Sequence, residues 1–128
     1  MILRRNGELH LYPGIDIVEI ARFEQACRRH SKLVARLFTD RELAELSKKH
    51  ISSLAARFAG KEAVLKALGT GLSGLSWHDI EILRNEVGEP IVYLSERAQA
   101  AARSRGAERV RISLSHSKDT AIASVILE

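Results

Sequence analysis

One cysteine, Cys27, in 128 residues rules out an internal disulfide and any cysteine-built metal cluster, and it suits a reducing compartment. Its plain reading is a small buried residue on a helix. Aromatic residues make up 5% of the chain and include a single tryptophan, Trp77, which leaves few platforms on which single-stranded nucleic acid could stack. No apolar run approaches membrane-spanning length, and Met1 to Pro13 is interrupted by Arg4, Arg5, Asn6, Glu8 and His10, so no secretory leader is read there. The expectation is a soluble, cytoplasmic protein with no membrane partner, and the scarcity of aromatics weighs against nucleic acid as a partner. Internal repeats, low-complexity linkers, a Ser-His-Asp order, a Walker loop and a Rossmann fingerprint are also missing.

What remains is an ordinary core with a basic surface. Hydrophobic residues are 45% of the chain, enough for one domain spanning residues 1–128, with 1–13 read as an N-terminal extension or first strand. The formal net charge is +4, with Arg22, Arg28, Arg29 and Arg36 among the cations. Such a surface favours an anionic partner: a nucleic acid, an acidic protein or a phosphorylated small molecule.

Gly14 to Ile20 reads as a short, largely buried strand entered from Pro13, with Asp16 set anomalously among β-branched residues. A helix follows from about Glu19 to His30. Thr39 and Glu42 have the spacing of a capping box and open a helix through about Lys49. Ser52 or Ser53 starts a longer helix that Gly69 ends. Beyond the loop Gly69 to Gly74 the period changes: Ile80 and Ile82, then Ile91 and Tyr93, flank a turn through Glu86 to Pro90 and make a hairpin. Ser95 to Arg105 is an alanine-rich helix stopped by Gly106. Val110 to Leu114 and Ala121 to Leu127 are strands joined by Ser115 to Asp119. The order predicts an α+β fold, an antiparallel sheet packed on a long central helix.

The central helix carries charge where apolar residues belong. At about 100° per residue, Leu54, Phe58, Leu65 and Leu68 form one stripe, and Lys61 and Glu62 project from within or beside it. Ala56, Ala59, Gly60, Ala63 and Ala67 make the opposite side small enough for another element to approach closely. An ionised carboxylate buried without a partner would cost several kcal/mol, so Glu62 should face a cation, a metal or a polar cleft. Helix geometry alone favours a structural Lys–Glu pair at the rim of the core. Asp16 and Glu62, if they meet, would form the hard oxygen site that Mg²⁺ takes while also binding water and phosphate. Lys61 and Lys66 lead into the Gly69-Thr70-Gly71 loop, where backbone could approach a phosphate, although helix termination also explains Gly69. Among the histidines, His116 stands at a strand end beside Ser117, a place where binding residues concentrate and where a plain turn histidine is equally at home.

Taken together, Gly14-Ile15-Asp16-Ile17-Val18-Glu19-Ile20-Ala21-Arg22, Phe38-Thr39-x-x-Glu42, Arg57-Phe58-Ala59-Gly60-Lys61-Glu62-Ala63, Lys66-Ala67-Leu68-Gly69-Thr70-Gly71 and Ser113-Leu114-Ser115-His116-Ser117 resemble the holo-[acyl-carrier-protein] synthase family. The resemblance runs from about Gly14 to Glu128. Departures are small: Gly60 stands where alanine is usual, Trp77 replaces a common phenylalanine, and the start is longer.

The resemblance implies a 4′-phosphopantetheinyl transferase fold and transfer of 4′-phosphopantetheine from coenzyme A to a serine of apo acyl carrier protein in fatty acid biosynthesis, with release of adenosine 3′,5′-bisphosphate. By it, Asp16 and Glu62 would bind Mg²⁺ on the coenzyme A pyrophosphate. Lys66 and the loop Gly69, Thr70, Gly71 would hold phosphates, with Lys61 and Arg57 assisting. Ser76 and Trp77 would line the nucleotide site, and His116 with Ser117 would meet the 3′-phosphate. The serine proton would go to a metal-bound water or to Glu62, since a lysine beside metal and phosphate stays protonated. Arg22, Arg28, Arg29 and Arg36 would dock the acidic carrier protein. Likeness to the family further implies a homotrimer in which Asp16 and Glu62 come from one subunit and His116 from the next. The competing readings are a basic binding module without catalysis and a transferase acting on other carrier domains.

Overall fold

Gly14 decides how the first strand meets the central helix: a Cβ there would fall 2.0 Å from the carbonyl oxygen of Ala63. Only glycine lets the two backbones touch at that point. The strand is β1 (Tyr12–Glu19) and the helix α4 (Ile51–Leu68), in a computed structural model that describes residues 10–128. The N-terminal extension expected over 1–13 therefore lies mostly outside the described residues, and its last two residues, Tyr12 and Pro13, already belong to β1.

Between them come α1 (Ile20–Arg29), α2 (Leu33–Leu37) and α3 (Asp40–Leu46). The capping box at Thr39 forms as the spacing predicts, with Glu42 N donating to Thr39 Oγ1 and Thr39 N donating to Glu42 Oε1. Helix α4 begins a residue before the expected serines, because His50 Nδ1 accepts from Ser52 N and serves as the cap. It ends at Gly69, whose φ of 76° is the left-handed conformation that the C-terminal glycine supplies. Helix α2 is too short to announce itself by periodicity.

The remaining elements are β2 (Ile80–Arg84), β3 (Pro90–Leu94), α5 (Glu96–Ser104), β4 (Val110–His116) and β5 (Thr120–Leu127). The mixed α+β architecture and antiparallel pairing are as the sequence predicts, but the strands divide into two sheets. One has the order β1-β5-β4; the other is the β2-β3 hairpin. Strand β4 also runs past Leu114, so that His116 pairs with Ala121 inside the ladder, where the sequence suggested a loop.

Helix α4 lies across the three-stranded sheet and is enclosed on nearly every side. Ala55, Ala59, Ala63, Ala121 and Ala123 are fully buried at this contact, and Val125 and Leu127 complete it from β5. Strand alternation puts Gly14, Asp16 and Val18 on the same inner face. The outer face carries Ile15 and Ile17, which are 56% and 64% exposed, beside Ile122 and Ile126. No other described element covers it.

Candidate functional site

Asp16 sits at the mouth of the seam between β1 and α4. Lys66 comes down from α4 and donates from Nζ to Asp16 Oδ1 at 3.0 Å and to the Ile15 carbonyl at 2.9 Å. Glu62, one turn earlier on the same helix, is half-buried beside them. Burial pushes its carboxyl above the usual range and the negative Asp16 adds to that, while Lys66 opposes it. Three of the expected residues thus meet, and Asp16 and Glu62 feel each other's charge.

Two grooves join here. The first, of about 490 Å³, is lined by Phe23, Leu33, Leu37 and Phe58, with Asp16 and Glu62 at one end and Arg22 and Arg36 on its rim. The second, of about 500 Å³, is lined by Lys66, Gly69, Gly71, Leu65 and Leu72. Glu62 and Trp77 belong to both. The groove wall is aromatic because Phe23 stacks on Phe58 at 5.3 Å and Phe58 meets Trp77 at 5.4 Å.

Trp77 is held by a device that sequence reading missed. It opens a single 3₁₀ turn, Trp77–Asp79, after Ser76. Asp79 accepts from Ser76 N at 2.7 Å, from Ser95 Oγ at 2.6 Å and from Arg97 at 2.6 Å. Burial alone would raise the Asp79 carboxyl, but the hydrogen bonds of Ser95, Ser76 and Arg97 outweigh it and bring the pKa to about 2. The signal was present: Ser76 and Asp79 have the spacing of a capping box. Ser76, expected to line the nucleotide site, spends its backbone N–H and hydroxyl on that carboxylate.

Two residues expected at phosphates are elsewhere. Lys61 is fully buried, with its ammonium 2.6 Å from Glu42 Oε1 and bonded to the Ile80 and Trp77 carbonyls at 2.7 and 3.1 Å. Arg57, one turn before it, pairs with Glu45 at 3.0 Å and bonds the Ile82 carbonyl. The two cations and two anions satisfy the outer edge of β2: Glu42 takes Ile82 N–H at 2.8 Å and Glu45 takes Arg84 N–H at 3.1 Å. Neither cation is free to reach a ligand in the grooves. Consecutive helical residues differ by about 100°, which is why Lys61 turns into the core while Glu62 faces the groove.

His116 and Ser117 are both exposed and stand apart. His116 occupies the row Val18–Ala121–His116, so two strand spacings, roughly 10 Å, separate β4 from the strand of Asp16. Within one chain they line neither groove. Of the expected docking arginines, Arg22 and Arg36 rim the first groove, Arg29 and Arg36 border a smaller cationic hollow with Lys32, and Arg28 is exposed and pairs with Glu24 at 3.7 Å. Thr70 is half-buried in the second groove's loop, and its hydroxyl donates to the carbonyl of its neighbour Gly71.

Metal fit can be judged from the donors. Among the described residues no group of three or more His, Cys, Asp or Glu side chains forms a closed cage. Two carboxylates at an open groove leave most coordination positions for water and substrate oxygens, which suits a hard cation such as Mg²⁺ and not a structural zinc.

A family model for the 4′-phosphopantetheinyl transferase superfamily matches residues 12–123. A holo-[acyl-carrier-protein] synthase of Moorella thermoacetica is 49% identical over 120 residues, covering 92% of this chain and 94% of that one. The crystal structure of the Neisseria meningitidis holo-[acyl-carrier-protein] synthase superposes with a TM-score of 0.83 at 32% identity, covering 91% of this chain and 97% of the other. The Helicobacter pylori synthase, solved in complex with coenzyme A, gives 0.80 at 35% identity, covering 91% and 99%.

Proposed function

The chain belongs to the 4′-phosphopantetheinyl transferase superfamily, and on that premise we propose that Asp16 and Glu62 form the centre at which it transfers 4′-phosphopantetheine from coenzyme A to a serine of apo acyl carrier protein. The reaction is that of the holo-[acyl-carrier-protein] synthases in fatty acid biosynthesis. Its by-product is adenosine 3′,5′-bisphosphate.

One observation carries the assignment: two grooves converge on Glu62 and Trp77, as a reaction of two large substrates requires. The groove with Lys66 and the Gly69 to Gly71 loop receives the coenzyme A phosphates, since the ammonium and the open backbone at Gly71 both complement phosphate oxygen. The apolar groove rimmed by Arg22 and Arg36 receives the carrier protein, with Arg28 and Arg29 on the neighbouring face of α1 steering an acidic partner toward it. The serine oxygen then forms its bond to the pantetheine-side phosphorus, and the bridging oxygen leaves on the nucleotide. The serine proton passes to Glu62, the carboxylate that stands where the two grooves meet.

Asp16 and Glu62 would hold Mg²⁺. Bound there, it would neutralise charge on the pyrophosphate and orient it for in-line attack. Lys66 is placed to balance Asp16 before substrate arrives and to turn to a phosphate afterwards.

The assembly is read as a homotrimer in the cytoplasm. The isoleucines on the outer sheet face favour contact with another copy. Such a contact would bring the partner copy's sheet edge toward a groove that this chain's own His116 does not line.

Mass spectrometry tests the function. Incubated with coenzyme A, Mg²⁺ and apo carrier protein, the chain should add one phosphopantetheine group to the carrier, and chelator should stop it. Asp16→Asn and Glu62→Gln should fold yet leave the carrier unmodified; full transfer by both variants would remove the metal assignment.

A further inference from the structure

Arg105, just past α5, carries its guanidinium to the far end of α4. It donates to the carbonyl oxygen of Ala67, in the helix's last turn, and lies 4.0 Å over the ring of Tyr12 on β1. Tyr12 returns the contact, its hydroxyl donating to the Arg105 carbonyl at 2.9 Å. Among the described residues Arg105 has no carboxylate partner. A half-buried arginine fastened to a helix end and an aromatic face is placed by shape more than by charge.

What it fastens is the start of the second groove. The Ala67 carbonyl is one of the oxygens that a helix terminus leaves without an internal donor. Lys66 precedes it, and Gly69 follows with its N–H bonded to Leu65 and Lys66 carbonyls at 3.1 Å each. A Cβ on Gly69 would lie 2.8 Å from Arg105 Nη1 and 3.0 Å from its Cζ. Glycine is therefore needed at 69 for its φ of 76° and for the room that the guanidinium occupies. A cation at this end also opposes the negative pole of α4.

We propose that Arg105 is a positioning residue for coenzyme A, holding the end of α4 so that Lys66 and the Gly69 to Gly71 backbone keep the shape that receives phosphates. This rests on the transferase reading. Arg105 lines neither groove, so it acts through the loop and not by contact with substrate.

The test uses the full chain with calorimetric titration of coenzyme A and steady-state transfer, well below the melting temperature. Arg105→Ala should weaken coenzyme A binding and raise its KM by about tenfold, the worth of one charge-assisted hydrogen bond, and leave the KM for carrier protein unchanged. Arg105→Lys keeps the charge but cannot both stack and bond, so it should not rescue; rescue would show that charge alone matters and would overturn the proposal. Gly69→Ala displaces the same guanidinium, so adding Arg105→Ala to it should cost less than the product of the two single effects. Native coenzyme A affinity in Arg105→Ala, with only a lower melting temperature, would overturn the proposal too. An unaltered chain that binds no coenzyme A would instead fail the transferase reading.

Discussion

Lys61 Nζ lies 2.6 Å from Glu42 Oε1, with both side chains fully shielded from solvent. Burial holds the lysine pKa below its usual value and Glu42 offsets only part of that, so the pair stands or falls together. Lys61→Met should destabilise the fold by about 3–5 kcal/mol, because it strands a buried carboxylate. Adding Glu42→Gln should recover much of that loss in chemical denaturation, since the amide oxygen can still accept from Ile82 N. Where the variant is folded it should keep the native KM for coenzyme A. A stable Lys61→Met chain without transfer activity would restore Lys61 to the chemistry.

This pair marks the limit of what periodicity can say. The helix pattern correctly flagged Lys61 and Glu62 as charges beside an apolar stripe, yet it could not tell which turned inward, because both reach the helix's flank. Glu42 carried the missing information, and its capping-box spacing concealed it: the carboxylate that caps α3 is also the buried partner. Local signals did well where the interaction is local, as at Thr39, Gly69 and the β2-β3 turn. They were silent where contact is distant in sequence, as between Asp79 and Ser95 or Arg105 and Ala67. Asp16 was legible because a carboxylate among β-branched residues is costly unless used. That Lys66 faces it needed the fold.

The Asp16–Lys66 bond predicts opposite effects from one substitution. Lys66→Met removes a competitor for Asp16, so Mn²⁺ binding to the free protein, followed by electron paramagnetic resonance, should tighten by about two- to fivefold, the worth of an exposed ion pair. Coenzyme A binding should weaken by about tenfold or more with loss of the ammonium. Parallel weakening of both would mean that Lys66 only holds the site together.

Asp79 predicts an acid limb. Its folded pKa of about 2 lies below its ordinary value of 3.8, so its contribution to stability is complete above about 4 and is lost as pH falls toward 2. Asp79→Asn should therefore be less stable than the native chain at pH 7, and the gap should close in that acid window. Because Trp77 is the sole tryptophan, its fluorescence reports the same turn directly. Red-shifted emission in the variant at neutral pH is expected; a gap that persists unchanged to pH 2 would show that the carboxylate charge contributes nothing.

The trimer reading makes its strongest prediction through complementation. Asp16 lies on β1 and His116 on β4, with β5 between them, and the outer sheet face offers isoleucines to another copy. If each site takes Asp16 from one subunit and His116 from its neighbour, Asp16→Asn and His116→Ala chains should each be nearly inactive alone. Mixed in equal amounts and allowed to exchange subunits, they should regain activity, because about a quarter of the sites then draw both native residues from different chains. Ile15→Asp, which puts a charge on the outer face away from both grooves, should reduce the particle to 14.2 kDa in light scattering and abolish that recovery. Complementation distinguishes shared sites from mere association, since a trimer of self-contained sites would leave every mixed site lacking Asp16 or His116. Recovery absent despite proven exchange would place both residues in one subunit's site, whereas a His116→Ala chain active on its own would remove His116 from the site altogether.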